Sequence, residues 1–217
     1  MTTTTTSLKS CFAQKLEQAL QQHGIPLSKQ QQQVLATHFS LLQQWNKVHN
    51  LTRICTVQEA VMQHYIDSLL PLQKLQPQQE LLDVGSGAGF PGLVAAVLWP
   101  EVSVRLLDSC RKKCSFLQTA IAHMKLQNVR VQHGKAPHCS LAPCVLSRAT
   151  FCVEHVRIAA QCLRPNNVNF LALWVTQQQV EPIRKPLQGL DLHIENVVTY
   201  SLLQKQKRAV VIARQIF

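Results

Sequence analysis

Two periodicities divide the chain. As far as residue 78, apolar residues return every three or four positions, the spacing of one helix face. From Glu80 onward, short apolar runs of strand length alternate with helical patterns. Leu8, Phe12, Leu16 and Leu20 form a four-residue stride that Gly24 is placed to stop. Ser28 is placed to cap a second helix running to about Lys47, with Val34, Leu35, Phe39, Leu42 and Trp45 as its apolar stripe. The glutamines at 30 to 33 are acceptable helix formers and read as its solvated face. Polar residues dense with Asn then break the helical pattern between Trp45 and Thr52. Thr56 and Glu59 form a capping box that opens a third helix through Val61, Met62, Tyr65, Ile66 and Leu69, which Pro71 is expected to end. That helix carries His64 and Asp67 three apart on one face. They are either a polar pair turned toward a site or an ordinary hydrogen bond of a helix surface or core.

In the second region the candidate strands are 80–84, 102–107, 128–132, 144–148, 168–174, 190–199 and 207–214, with helices near 91–99, 110–125, 152–163 and 177–185. Repeated β-α-β units predict an α/β fold: a mostly parallel seven-stranded sheet with helices on both faces. No strong helical pattern separates the last two strands, which suits an antiparallel hairpin at one edge. The expected organisation is a disordered tail over 1–7, a helical extension over 8–78, and the α/β domain over 79–217, the last two forming one compact unit.

The stretch Glu80 to Gly92 places Asp83 at a strand end and Gly85, Gly87 and Gly89 at alternate positions after it. Glycines permit a tight turn and close approach of a ligand to the main chain, and free N–H groups at a helix start suit a polar or anionic ligand. Nineteen residues past Gly89, Asp108 closes the second strand, where a carboxylate can accept hydrogen bonds from both hydroxyls of a ribose. In such sheets ligands bind beyond the carboxyl ends of the strands. Asp83, Asp108, Ala136, Pro137 and Arg148 all follow strand ends, so they are expected to line one crevice. Two nucleoside cofactors compete for it. Gly87, Gly89 and Gly92 satisfy the dinucleotide fingerprint, which would make an NAD-dependent oxidoreductase. Asp83, just ahead of the glycines, is better suited to a cationic group such as the amino group of S-adenosylmethionine, and this favours a methyl donor. A turn-stabilising role for Asp83 and a helix-capping role for Asp108 are the plainer alternatives.

Charge adds a partner. The chain of 217 residues carries a net +11, and no acid occurs between Asp108 and Glu154, an interval holding Arg111, Lys112, Lys113 and four further cations. That asymmetry favours a nucleic acid over general basicity. Cations at Arg111 to Lys113 oppose the dipole of the helix they begin, which hints at use in binding RNA phosphate. The eight cysteines include no C-x-x-C pair and fit no zinc pattern, so no metal is expected. No apolar run approaches the roughly 20 residues that span a bilayer. The threonine-rich start lacks the order of a secretory signal. A cytoplasmic monomer that binds no membrane is the expectation.

Three stretches resemble the RsmG (GidB) family of bacterial small-subunit rRNA methyltransferases: W-N-K-V-H-N-L-T at 45–52 with H-Y-I-D-S at 64–68; L-L-D-V-G-S-G-A-G-F-P-G at 81–92 with L-L-D-S at 106–109 and R-K-K at 111–113; and L-S-R-A at 146–149. The glycine loop is generic, whereas the Trp45–Thr52 segment and Ser147-Arg148-Ala149 are specific. The resemblance implies a Rossmann-like methyltransferase fold with a helical extension. It implies S-adenosylmethionine as cofactor, and N7 methylation of a guanosine in the decoding-region loop of 16S rRNA, free or in the small ribosomal subunit. By position it places Gly85 and Phe90 against the cofactor, Ala136 and Pro137 beside the adenine, and Arg148 in the wall of the site; Asn50 joins Arg111, Lys112 and Lys113 as RNA contacts. Guanine N7 carries a lone pair and no proton, so no catalytic acid or base is assigned, and His64, Asp67 and Arg148 are positioning candidates. Where the family tends to show a lysine after the fifth strand, this chain has Trp174, which either stacks on a base or lies in the core. A non-catalytic RNA-binding module is the reading that follows if the pocket is degenerate.

Overall fold

The computed structural model describes residues 2–54, 56–77, 79–136, 141–148, 153–166, 168–202 and 206–215. Pro137 and Ala149 therefore lie outside the described residues. The elements run α1 (Thr2–Gln22), α2 (Lys29–His49), α3 (Val57–Ala60), a π-helical segment (Val61–Ile66), α4 (Asp67–Leu72), β1 (Glu80–Val84), α5 (Gly92–Leu98), β2 (Ser103–Asp108), α6 (Arg111–Met124), β3 (Val129–His133), β4 (Cys144–Ser147), α7 (Val153–Gln161), β5 (Phe170–Thr176), a 3₁₀ turn (Gln177–Gln179), α8 (Val180–Gln188), β6 (Leu192–Ser201) and β7 (Lys207–Gln215). The backbone of α1 is helical from Thr2, within the threonine run expected to fray.

The sheet order is β3-β2-β1-β4-β5-β7-β6. The first five strands are parallel. The last two form the expected antiparallel hairpin, with β7 inserted between β5 and β6. Alternate residues of β1 supply opposite faces: Leu81 joins a core with Val104, Leu106, Leu146 and Ala172, and Leu82 joins one with Leu107, Val145, Leu171 and Leu173. The first core also contains Phe12, Leu16, Leu35, Phe39, Tyr65, Ile66 and Leu69. The helical extension and one face of the sheet thus share a single apolar interior. The second core is closed by Val156 and Ala159 of α7 and Ile183 and Leu187 of α8. Among the described residues no helix is long and apolar enough to cross a membrane.

Ser28 caps α2 as expected: its Oγ accepts from the Gln31 N–H at 3.1 Å, and Gln31 Oε1 accepts from the Ser28 N–H at 2.9 Å. Gln31 is not simply part of a solvated face, because its Nε2 also donates to Val97 O at 2.9 Å and ties α2 to α5. Thr56 caps α3 by accepting from the Glu59 N–H at 3.2 Å. Pro71, expected to stop this helical stretch, lies inside α4, which runs on to Leu72. Proline removes the donor that the carbonyl four residues earlier would use. Here that carbonyl is Asp67 O, and it accepts instead from Trp174 Nε1 at 2.8 Å and from the Tyr200 hydroxyl at 3.2 Å. Tertiary donors thus satisfy the carbonyl that proline leaves free in the last turn, and the helix ends one residue past Pro71, close to the expected stop. Trp174 is 2% exposed and its ring belongs to the core, which leaves it no face for a base.

Candidate active site

Beyond the carboxyl ends of β1, β2, β3 and β4 lies a cleft of about 570 Å³. One wall is the turn from Gly85 to Phe90. Its start is fixed by main-chain bonds: the Gly85 and Ser86 N–H groups both donate to Leu107 O, at 2.8 and 3.1 Å. Asp108 then fastens the middle, its Oδ2 accepting from the Gly87 N–H at 2.9 Å and its Oδ1 from the Cys110 N–H at 2.8 Å. A carboxylate oxygen can accept more than one bond, so Asp108, which lines the cleft, keeps capacity for a ligand. Lys113 also lines it, with Nζ 3.9 Å from Asp108 Oδ2.

The glycines divide by what surrounds them. A Cβ at Gly85 would meet nothing within 4 Å, and at Gly87 only Gly85 O at 3.8 Å. Both have left-handed φ, +77° and +58°, and both line the cleft. Gly89 and Gly92 face protein instead. A Cβ would approach Leu93 Cδ1 to 2.5 Å at Gly89, and Leu106 Cδ2 to 2.3 Å at Gly92. Gly85 and Gly87 therefore leave space for a ligand, whereas Gly89 and Gly92 leave space for packing.

Asp83 is fully buried and is not among the residues lining the cleft. Its Oδ2 accepts from the Gly92 N–H at 2.9 Å, the turn-stabilising role. Burial raises its pKa to about 7, against the opposing influence of the Gly92 N–H.

The facing wall is built from the helical extension together with Arg148 after β4, and it meets the glycine turn at Phe90. Asn46 clamps the loop after α2: its Oδ1 accepts from the Thr52 N–H at 2.8 Å and its Nδ2 donates to Thr52 O at 2.9 Å. Asn50 caps α2 in the left-handed conformation, is exposed, and does not line the cleft. Leu51, Thr52, His64, Phe90 and Arg148 do. The ring of His64 stacks on Phe90 with centroids 4.5 Å apart and 12° between planes, and the Arg148 guanidinium lies 5.1 Å from the Phe90 centroid. Arg148 Nη1 donates to Gln63 O and to Asp67 Oδ2, both at 3.0 Å, and its Nη2 donates to His64 Nδ1 at 3.2 Å.

Asp67, 2% exposed, sits behind this wall with both oxygens occupied. Oδ1 accepts from the Tyr200 hydroxyl at 2.7 Å and Arg208 Nε at 3.1 Å, and Oδ2 accepts from Arg148 and from Arg208 Nη2 at 3.4 Å. One buried carboxylate thus holds two arginines. The π-helical turn just before it takes the place of ordinary α-helix on the approach to Asp67, a distortion often found at functional sites. Burial, then the charge of Arg148, pulls the His64 pKa down to about 3. The imidazole is therefore neutral near pH 7.

The structure thus brings Gly85, Gly87, Phe90, Asp108, Ala136, Arg148, His64 and Lys113 to one cleft. It leaves Asp83, Gly89 and Asp67 behind its walls, and Arg111 and Lys112 on exposed positions of α6. Sequence reasoning missed His38, Tyr200 and Arg208. His38 is fully buried; its Nε2 donates to Ala88 O at 2.9 Å and its Nδ1 accepts from the Tyr65 hydroxyl at 3.0 Å, joining α2 to the glycine turn. Its position midway between Val34 and Leu42 on the apolar stripe was the available signal. Among the described residues no group of three or more His, Cys, Asp or Glu is arranged to hold a metal.

The family described as rRNA small subunit methyltransferase G (GidB) matches residues 31–211. Ribosomal RNA small subunit methyltransferase G 1 of Syntrophobacter fumaroxidans is 43% identical over 122 residues, 56% of this chain and 56% of that one. The corresponding protein of Methylobacillus flagellatus is 41% identical over 122 residues, 56% of this chain and 59% of that one. The match thus spans little more than half the length of these relatives. Among solved structures, ribosomal protein L11 methylase from Lactobacillus delbrueckii subsp. bulgaricus superposes with a TM-score of 0.57 at 13% identity, covering 71% of this chain and 79% of that one. A SAM-dependent methyltransferase from Aquifex aeolicus gives 0.53 at 16% identity, covering 69% and 90%. At such identities the likeness concerns the fold, which is the Rossmann-like one of these methyltransferases.

Proposed function

The chain belongs to the rRNA small subunit methyltransferase G family, and on that premise we propose that it transfers a methyl group from S-adenosylmethionine to N7 of a guanosine in the decoding-region loop of 16S rRNA. The observation that carries this reading is the pair of unlike walls around one cleft, one of open glycines and a carboxylate, the other of a stacked and hydrogen-bonded polar cluster. The residues fit the cofactor. Gly85 and Gly87 form a cradle that a side chain would fill, Asp108 offers acceptor capacity for ribose hydroxyls, and Ala136 supplies a small apolar surface for a purine ring. When bound, this group supplies an electrophilic methyl on a sulfonium. Against a nicotinamide dinucleotide stands the first N–H of α5, which a pyrophosphate would use and which Asp83 already occupies.

The remaining task of the protein is alignment. Attack by N7 needs no proton removed, so the rate depends on holding the base in line with the methyl. His64 is suited to positioning and not to acting as a base: its Nδ1 accepts from Arg148, its Nε2 faces Thr52 Oγ1 at 3.0 Å, and its pKa is far below neutrality. Arg148 is held by Asp67 and Gln63, with its guanidinium over Phe90. Arg111 and Lys112, exposed at the start of α6, are placed to meet RNA phosphates, and Asn50 borders the loop that carries Leu51 and Thr52. The enzyme acts as a monomer in the cytoplasm on 16S rRNA or on the small subunit.

Incubation with methyl-labelled S-adenosylmethionine and small subunits or rRNA lacking the modification, followed by nucleoside mapping, tests this directly. Label on guanine N7 is expected. Absence of label on every substrate form, with S-adenosylmethionine binding intact, leaves only an RNA-binding role and overturns the catalytic one.

A further inference from the structure

The donors around His64 fix the direction of one hydroxyl. Arginine carries no acceptor, so His64 Nδ1, 3.2 Å from Arg148 Nη2, is the accepting nitrogen. A neutral ring then carries its proton on Nε2, which points at Thr52 Oγ1 from 3.0 Å. The Ile54 N–H donates to the same oxygen at 3.1 Å. A hydroxyl oxygen has two lone pairs, and both are now used. What remains is its own hydrogen, for which no acceptor is found among the described residues. The Thr52 main chain is fixed, because Asn46 holds both its N–H and its carbonyl, and the contacts with His64 and Ile54 hold its hydroxyl oxygen. Thr52 lines the cleft and comes from the helical extension, the wall that faces the glycine turn. A residue of the cleft lining therefore carries a hydroxyl that is already saturated as an acceptor and is free only to donate.

We propose that this Thr52 hydroxyl donates to O6 of the target guanine and so selects guanine over adenine. The proposal rests on the guanine-N7 reading above and names the group that reads the base. O6 neighbours N7 on the same edge of guanine and is an acceptor, whereas adenine presents an N6 amino donor there. A donor-only hydroxyl would meet a donor on adenine, and N7 would remain unbonded, as attack requires. A site built to bond a particular polar group rejects analogues lacking it, because its own buried group is left unpaired.

The test compares Thr52→Val, which removes the hydroxyl at nearly constant shape, with Thr52→Ser, which keeps it. Each protein is titrated with S-adenosylmethionine by calorimetry. Single-turnover methylation is then measured on small-subunit RNA carrying guanosine or 2-aminopurine, which lacks O6, at the position methylated by the wild type. Wild type is expected to be roughly tenfold to a hundredfold slower on 2-aminopurine. Thr52→Val is expected to be slowed by a similar factor on guanosine, to show no further loss on 2-aminopurine, and to bind S-adenosylmethionine as wild type does. Thr52→Ser is expected to recover the discrimination. Discrimination that persists in Thr52→Val overturns the proposal, as does weakened cofactor binding in that variant, which would assign the hydroxyl to the cofactor. If Thr52→Val fails to fold, equal wild-type rates on the two bases overturn it alone. A wild-type protein that binds S-adenosylmethionine but labels no guanosine removes the underlying reading, a failure distinct from labelled guanosine with an indifferent Thr52.

Discussion

The two walls of the cleft are made of different material. The glycine turn is shaped by main-chain bonds to Leu107 O and by one carboxylate, Asp108, and leaves open space above Gly85 and Gly87. The facing wall is made of side chains from distant parts of the chain, with Asp67 bonded to residues 81, 107, 133 and 141 positions away. A wall of backbone can lose ligand affinity while keeping the fold. A wall of desolvated, mutually paired charges cannot lose a partner without losing stability, because the remaining charge stays buried.

Asp67→Ala, which strands Arg148 and Arg208, separates the two walls most strongly. It is expected to cost about 3 kcal/mol of stability by urea denaturation. A loss below about 1 kcal/mol would mean that water replaces the carboxylate freely and that this wall resembles an exposed ion pair. Next come the glycines. Gly92→Ala places a methyl against Leu106 and Asp83 and is expected to cost about 2 kcal/mol. Gly87→Ala is expected to cost about 1 kcal/mol for its left-handed backbone and to weaken S-adenosylmethionine binding in calorimetry. Equal effects of the two on binding and stability would erase the division between ligand-facing and protein-facing glycines.

Acid should act with opposite sign on the buried histidines and on Asp83. His64 and His38 have folded pKa values of about 3 and about 4, the latter also lowered chiefly by burial, so the unfolded chain binds more protons below pH 6.5. Their contribution is complete above pH 6.5 and is lost as pH falls. Asp83, raised to about 7, binds its proton in the folded state, so its contribution is present at low pH and is lost as pH rises through 7. Between pH 4 and 6.5 two protons on one side against one on the other leave a net slope near 1.4 kcal/mol per pH unit, stability falling on acidification. Asp83→Asn removes the opposing contribution and is expected to steepen that slope, measured by urea titrations across this range. The smallest change is Trp174→Phe. It removes one donor to Asp67 O while Tyr200 remains, for about 1 kcal/mol.

The glycine turn was legible in the sequence because its determinants are local: a strand end, glycines at fixed spacing and an acid at the end of the next strand. The helix caps at Ser28 and Thr56 were legible for the same reason. Asp83 shows where local reading stops. An acid before glycines has the same spacing whether it faces a ligand or the first N–H of the following helix, and only the fold shows that Asp83 Oδ2 accepts from that N–H. Pro71 shows the other boundary. The helix stops within one residue of Pro71, as a local rule expects, but the groups that bond the freed Asp67 carbonyl, Trp174 and Tyr200, come from strands far along the chain. His64 and Asp67 could be placed on one helix face, but the π-helical turn before Asp67, and the arginines Asp67 binds, depend on tertiary packing that no helical spacing encodes.

In the proposed function one wall seats the methyl donor while the other positions a base from which no proton need be taken. His64→Gln tests it most directly, since the glutamine amide can both donate toward Thr52 and accept from Arg148. With S-adenosylmethionine affinity unchanged, single-turnover methyl transfer in this variant is expected to stay within about tenfold of wild type. A loss of roughly 10²-fold to 10⁴-fold at intact cofactor affinity, the signature of a missing general base, would show that His64 takes a proton.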